Sequence, residues 1–240
     1  MTEAQTSAQP AVAVVATYNI HRCIGSDWRH DADRVASVIR ELDADVVGLQ
    51  EVDARYHIED GDDQAEYLAG ATGMSAVSGP ALVHHRGSYG NAILTRWPVK
   101  AVRRVEIGVI GREPRAVLDT DLEIAGVGVR VVVTHFGLRS SERRLQTEML
   151  ARMLGPRDER CTILLGDFNE WTPMGHTLRR LNGLLGRSPA VRSFPSRCPA
   201  LALDRIWVSP VSALVRLGAH RSRLACRASD HLPVLGEVQL

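Results

Sequence analysis

Polar residues of a few chemical types stand where apolar runs stop: Asn19, Glu51, Asn91, His135, Asp167 with Asn169, and Asp230 with His231, while Asp204 opens one more such group. The sharpest case is Ile163-Leu164-Leu165-Gly166-Asp167-Phe168-Asn169-Glu170-Trp171. A buried strand there delivers a carboxylate and an amide, two residues apart and so able to face the same way. The oxygen donors Asn, Asp and Glu are hard ligands and suit Mg²⁺ or Mn²⁺ rather than zinc. Two histidines add donors for phosphoryl oxygens or a proton carrier. An Asp beside a His fixes the imidazole tautomer and favours its charged form. A metal, a water activator and cations for developing charge make up the inventory for water attack on a phosphate ester.

Each group also has a bland reading. Asp167 caps whatever follows it, Glu51 is solvated, His135 is a satisfied core histidine, Asn91 after Gly90 is turn chemistry, and Asp204-Arg205 is a local ion pair. Their repetition at one kind of position weakens those readings, because loops at strand ends carry function on a rigid scaffold.

The elements that must position these groups follow from periodicity. Apolar runs predict strands at residues 12–17, 45–49, 74–78, 89–95, 99–107, 116–124, 127–134, 161–165, 203–208 and 213–217, and a last strand opening at Ser229 and running to Leu240. Ala125-Gly126 is a hairpin turn, and residues 84–87, 53–62 and 195–199 read as irregular. Helical spacing predicts a helix capped by Asp31 or Asp33 with Val35, Val38, Ile39 and Leu42 inward. Further helices are predicted over 64–72, stopped at Gly73, and over 175–185. Another, capped by Ser140 and Ser141, has Leu145, Met149, Leu150, Met153 and Leu154 on one face and stops at Gly155-Pro156. Two packed sheets with helices outside is the simplest architecture, an α/β (α+β) fold.

The chain has 240 residues with 45% hydrophobic and 24% charged content, enough for one large domain with a substantial core. Residues 1–11 are expected to be frayed and 12–240 to form a single domain. Net charge is +1, so the total carries no electrostatic footprint for nucleic acid. Lys100 is the sole lysine, and the remaining bases are planar, phosphate-matching arginines. Cys23, Cys161, Cys198 and Cys226 form no Cys-x-x-Cys pair, which argues against a zinc site or a disulfide framework. The run at 11–16 is too short for a signal peptide and no window approaches a membrane span, so a cytoplasmic monomer is expected.

The ordered set Tyr18-Asn19-Ile20-His21, Leu49-Gln50-Glu51-Val52, Gly90-Asn91-Ala92-Ile93-Leu94, Thr134-His135, Gly166-Asp167-Phe168-Asn169, Leu203-Asp204-Arg205-Ile206 and Ser229-Asp230-His231 resembles the endonuclease/exonuclease/phosphatase superfamily, across about residues 12 to 240. That superfamily includes DNase I, abasic-site endonucleases of the exonuclease III type, neutral sphingomyelinases and inositol-polyphosphate 5-phosphatases. The resemblance implies a four-layer α/β/β/α sandwich, DNase I-like, with two mixed sheets face to face and a site at one end. It implies a Mg²⁺ or Mn²⁺ cofactor, with Glu51 as main ligand, Asn19 beside the metal and Asp230 supporting it. Asp167 would orient or deprotonate water or protonate the leaving group, and Asn169 would hold Asp167 and the phosphate. His231, oriented by Asp204, would bind phosphoryl oxygen or act as base. His135 and Asn91 would contact phosphate. Arg115 resembles an arginine that some relatives place near the site, its other reading being a surface residue. His21, in an Asn-Ile-His start similar to that of small bacterial members, would sit by the substrate.

The substrate class stays open between nucleic acid, a phospholipid head group and a small phosphodiester. A DNA-acting member needs a basic face and penetrating loops, for which Arg86, Arg139, Arg143 and Arg144 are the rim candidates, with a solvated helix face the default for the last two. A sphingomyelinase-like member needs an apolar insertion, and none is present. An inositol-phosphate phosphatase needs a basic cluster, and Arg216 to Arg227 is arginine-rich, its default reading being an exposed strand and loop. A non-catalytic module on the same scaffold would be signalled by loss of Glu51, Asp167 or His231, and all three are present.

Overall fold

A computed structural model describes residues 11–55, 62–155 and 160–240. The expectations for residues 1–10, for most of the acidic stretch at 53–62 and for Pro156 lie outside the described residues.

Among the described residues, twelve strands make two sheets. The first contains β1 (Val12–Asn19), β2 (Val46–Arg55), β3 (Asp62–Asp63), β4 (Ser75–His84), β5 (Gly87–Thr95), β11 (Leu214–Ala219) and β12 (Val234–Gln239), in the order β11-β12-β1-β2-β5-β4 with β3 on β2. The second contains β6 (Val99–Glu106), β7 (Ala116–Ile124), β8 (Val127–His135), β9 (Cys161–Asp167) and β10 (Asp204–Ser209), in the order β10-β9-β8-β7-β6. Helices α1 (Ala32–Leu42) and α2 (Gln64–Thr72) cover the first sheet, and α3 (Ser140–Leu154) and α4 (His176–Leu185) the second; a short α5 (Ala225–Ala228) precedes β12. The result is the expected four-layer α/β/β/α sandwich. Val15, Val46, Ile93, Val131, Val133, Ile163, Leu165 and Ile206 fill the space between the sheets.

Each sheet holds one parallel pair, β1 with β2 and β8 with β9, and every other pairing is antiparallel. Both parallel pairs are joined through a helix, as a parallel connection requires. The carboxyl ends of the paired strands therefore lie side by side, the position where open α/β sheets bind ligands.

Local expectations needed correcting where tertiary contacts override pattern. The helix α3 begins at Ser140 with Arg139 at its N-cap and no side-chain cap bond, so neither serine caps it. Its buried face includes Glu142, Arg143, Gln146 and Thr147, while Leu145 and Met149 are exposed. Those polar side chains satisfy loop backbone beyond the strand ends: Gly137 N–H donates to Gln146 Oε1 at 2.8 Å and Arg143 to Leu138 O at 2.6 Å. Arg143, read by default as solvated, is thus buried. Residues 84–87 continue the β4–β5 hairpin, and β12 starts only at Val234. Asp31 caps α1 by accepting from Arg34 N–H at 2.8 Å.

On the outer side of the second sheet Asp119 is buried between Arg103 and Arg130, accepting from Arg103 at 2.9 and 3.0 Å and from Arg130 at 2.8 and 3.0 Å. Burial alone would raise its pKa, but the two guanidinium groups hold it below the ordinary 3.8. Asp119→Ala should cost about 3 kcal/mol in urea unfolding by leaving the Arg130 guanidinium without a carboxylate, with only Leu154 O and Met153 O as acceptors. The stabilisation from Asp119 is complete above the unfolded carboxylate's pKa and is lost as pH falls through the lower folded value; an unchanged unfolding midpoint in Asp119→Ala at neutral pH would contradict this.

Candidate active site

Strand periodicity carries core positions outward into the site. On β9, Ile163 and Leu165 face the opposite sheet, so Asp167 faces it too. On β8, Val129, Val131 and Val133 lead in the same way to His135, and on β1 Ala13 and Val15 lead to Thr17 and Asn19. On β10, Ile206 and Val208 place Asp204 inward. Pairing puts His135 opposite Asp167 and Asp167 opposite Asp204, so three functional residues form one row across the second sheet.

Glu51 needs a different device. It was expected at the end of a strand, but β2 continues through it to Arg55. Regular alternation would send Glu51 outward with Val47 and Leu49. Leu49 pairs with Ala92 and Val52 with Gly90, so β2 holds one residue more than β5 between these pairs. This is a β-bulge. Glu51 adopts φ 58, in the left-handed region, and Val52 takes the outward place in the helix-side core. The bulge thereby turns Glu51 toward Asn19, whose Nδ2 donates to its Oε1 at 3.1 Å.

Residues between the polar groups act as anchors. Phe168 packs edge-on against Phe136 at 5.0 Å and Trp207 at 4.8 Å, under α3 and α4. Its outward packing leaves Asp167 and Asn169 on the other side. Gly166 is required because a Cβ there would lie 2.2 Å from Thr134 O. Asn169 follows with φ 49 and its N–H donates back to Asp167 Oδ1 at 2.9 Å.

The hydrogen bonds fix tautomers and amide orientations. Phe136 O can only accept, so Asn169 Nδ2 points to it at 2.9 Å, and the same nitrogen lies 3.1 Å from His135 Nε2, which must then be the acceptor. Burial, Arg115 and His231 push the pKa of His135 well below 6.5, so this ring is neutral. His231 is the opposite case. Its Nδ1 lies 2.8 Å from Asp204 Oδ2, which also accepts from Ser193 Oγ. Burial opposes the charge on His231, but Asp204 and then Asp167 overcome it and raise the pKa to about 10. Its Nε2 lies 3.7 Å from Asp167 Oδ2. Asp167, at 1% exposure, is raised above the ordinary carboxylate range by burial and by Asp204, while His231, Asn169 N–H and Asn19 Nδ2 hold the rise in check.

Seven of the expected residues line one cavity of about 380 Å³: Glu51, Arg115, His135, Asp167, Asn169, Asp230 and His231. Asp204 stands behind His231. Arg115 is buried rather than on the surface and pairs with Glu113 at 3.0 Å. Asn19, His21 and Asn91 are not among the residues that line this cavity. Asn91 lies inside β5, does not line the cavity, and donates to Ala116 O of the other sheet at 2.9 Å, so it clamps the sheets together. His21 does not line the cavity; its Nδ1 lies 3.0 Å from Ile24 O and 3.8 Å from Asp230. Asn19 Oδ1 accepts from His21 N–H at 3.0 Å, and its Nδ2 donates to Glu51 and Asp167. Arg205 donates to Ala202 O and Pro189 O, not to Asp204.

The sequence reading missed Phe194, whose ring lies 4.8 Å from that of His231, and Trp171, Leu138 and Leu201, which supply an apolar wall. Trp171 is half exposed with the Arg143 guanidinium 4.9 Å from its ring centre. An isolated phenylalanine in a Ser/Pro-rich loop was the one available signal for Phe194.

Two donor sets could take a cation. Ligand atoms of Asp167, Asp204 and His231 lie within 4.8 Å of one another, the one such group of three among the described residues. Internal bonds already use Asp204 Oδ2 and His231 Nδ1, which leaves that trio as a proton-bearing network. Glu51 and Asp230 are partly exposed carboxylates on the same cavity, and Mg²⁺ typically takes one or two carboxylates and keeps waters. These hard oxygens fit Mg²⁺ or Mn²⁺.

The endonuclease/exonuclease/phosphatase family model matches residues 16–231. The Escherichia coli (strain K12) protein YbhP is 31% identical over 243 residues, covering 94% of this chain and 96% of that protein. Among solved structures, an endonuclease/exonuclease/phosphatase from Bacteroides vulgatus superposes with a TM-score of 0.75 at 20% identity, covering 96% of this chain and 99% of that one. A mannosyl-6-phosphatase of Bacteroides thetaiotaomicron gives 0.74 at 20%, covering 95% and 100%. The two structural likenesses speak for the fold.

If Glu51 is held against its backbone preference for the sake of its carboxylate, Glu51→Gly should leave stability unchanged within about 1 kcal/mol or raise it. Val52→Gly, at a buried outward position, should cost at least about 2 kcal/mol. Thermal unfolding of both variants checks this; a large loss in Glu51→Gly would show that no strain is stored there.

Proposed function

The chain belongs to the endonuclease/exonuclease/phosphatase family, and on that footing we propose that it is a Mg²⁺- or Mn²⁺-dependent phosphoesterase that hydrolyses a phosphodiester by attack of water on phosphorus. The observation that carries this reading is the 2.8 Å contact between His231 Nδ1 and Asp204, which leaves Nε2 beside Asp167 in the cavity. A binding module without chemistry would be signalled by loss of Glu51, Asp167 or His231, and all three are present.

Glu51 and Asp230 would hold the ion, which when bound supplies Lewis-acid charge to the phosphoryl oxygens. Asp167 receives two N–H donors, from Asn19 Nδ2 at 3.1 Å and Asn169 N at 2.9 Å, which favour its ionised form and its use as the group that orients and deprotonates water. The charged His231 donates from Nε2 to a phosphoryl oxygen as negative charge develops. Burial and the neighbouring Arg115 and His231 keep His135 neutral, Asn169 fixes its tautomer, and His135 and Arg115 face the same phosphate. The wall formed by Leu138, Trp171, Phe194 and Leu201 would receive an organic group of the ester. That group belongs to a nucleic acid, a phospholipid head group or a small phosphodiester, and a substrate panel containing each, together with abasic-site DNA and sugar and inositol phosphates, separates them.

Asp167→Ala and His231→Ala should each lower kcat on bis-p-nitrophenyl phosphate by at least about a hundredfold, with circular dichroism and thermal unfolding near wild type. EDTA should abolish turnover, and Mg²⁺ or Mn²⁺ should restore it. Full activity in either folded variant, or in chelator, overturns the assignment.

A further inference from the structure

A second cavity, of about 540 Å³, is lined by Arg197, Arg221, Ser222, Arg223, Cys226 and Arg227. Its four arginines are exposed, and no carboxylate among the described residues pairs with Arg197, Arg221 or Arg223. The carboxylates at its edges are engaged elsewhere. Asp27 holds Arg34 at 2.7 Å as well as Arg227 at 3.3 Å, and Glu41 accepts from Ser222 Oγ at 2.6 Å and lies 2.8 Å from His220 Nε2. Like charges gathered in one concavity, in a chain of net charge +1, repel one another unless an anion joins them. Planar guanidinium groups match the oxygens of a phosphate.

The two cavities have no lining residue in common, but the segments that line them are tied together. Ser196, fully buried, donates its N–H to Asp230 O at 2.7 Å and its hydroxyl to Ser229 O at 2.7 Å and Cys226 O at 3.3 Å. This knot ties the loop of Arg197 to the segment running from Arg227 to His231. Phe194, against His231, precedes Arg197 by three residues, and Arg227 precedes Asp230 by three. Three residues span at most about 11 Å.

We propose that Arg197, Arg221, Arg223 and Arg227 form an anion pocket that takes a second phosphate group of the substrate, next to the ester that is cut. The inference rests on the phosphodiesterase reading for the identity of the molecule, but not for the pocket itself. The test uses Arg221→Glu/Arg223→Glu, two exposed positions outside the catalytic cavity. Calorimetry with inorganic tripolyphosphate in EDTA should show binding to the wild type and to His231→Ala, and at least about tenfold weaker binding to the double variant. In Mg²⁺, KM for a dithymidine phosphodiester bearing a terminal 5′-phosphate should rise by about tenfold in the double variant, with kcat unchanged. KM should not move for the same dinucleotide without that phosphate, or for bis-p-nitrophenyl phosphate. Equal tripolyphosphate binding in the double variant overturns the pocket. Weakened tripolyphosphate binding with unchanged KM overturns its use by substrate. Tripolyphosphate binding without hydrolysis of any of the three esters upholds the pocket and overturns the phosphodiesterase reading.

Discussion

Side chains on a strand alternate between its two faces, and on β1, β8, β9 and β10 that alternation runs from the core straight into polar residues. Between the sheets the inward positions are valine, isoleucine and leucine, where they exclude water. At the sandwich end the same positions become Asn19, His135, Asp167 and Asp204. Apolar burial therefore sets the direction of these four groups, whereas Arg115, Asn169, Asp230 and His231 stand on segments outside the strands. Rigidity follows from the same source, since none of these side chains can turn away without shifting a packed strand. The bulge at Glu51 departs from the rule only to bring one more carboxylate to the same face.

Converging carboxylates so near full burial would be costly without compensation. Asp167 meets the Asn19 side-chain amide from the first sheet and the Asn169 backbone N–H just beyond β9, and Asp204 meets His231 and Ser193. The two histidines are driven apart by their neighbours. His135 sits near Arg115 and is neutral; His231 sits on Asp204 and is charged. Two titratable groups of one type thus acquire different roles from their surroundings.

Much of this was legible in the chain because it rests on local period and on strand ends. The order of strands and helices and the polar groups that end β8 and β9 follow from runs that stop abruptly, whereas the His231–Asp204 pair was implied by the family resemblance alone. What was not legible depended on contacts distant in sequence. Nothing near Glu51 announces a bulge, since the extra residue exists only relative to β5. Asn91 looked like a ligand-facing amide because its acceptor, Ala116 O, lies on the other sheet. The apolar stripe assigned to α3 failed at Leu145 and Met149, since the helix uses Gln146 and Arg143 to satisfy the loops leaving β8 and β9. Phe194, Trp171 and Leu201 come from irregular segments, where no period links sequence to direction.

The account stands on His231 carrying its charge because Asp204 holds it. The direct measurement is an NMR titration of ring-labelled histidine in the metal-free chain, with His231 assigned by substitution. His231 is expected to stay protonated through neutral pH and to release its proton near pH 10, and in Asp204→Asn to titrate at lower pH. A His231 that loses its proton near pH 6.5, the ordinary value, in the wild type, or one indifferent to Asp204→Asn, would contradict it.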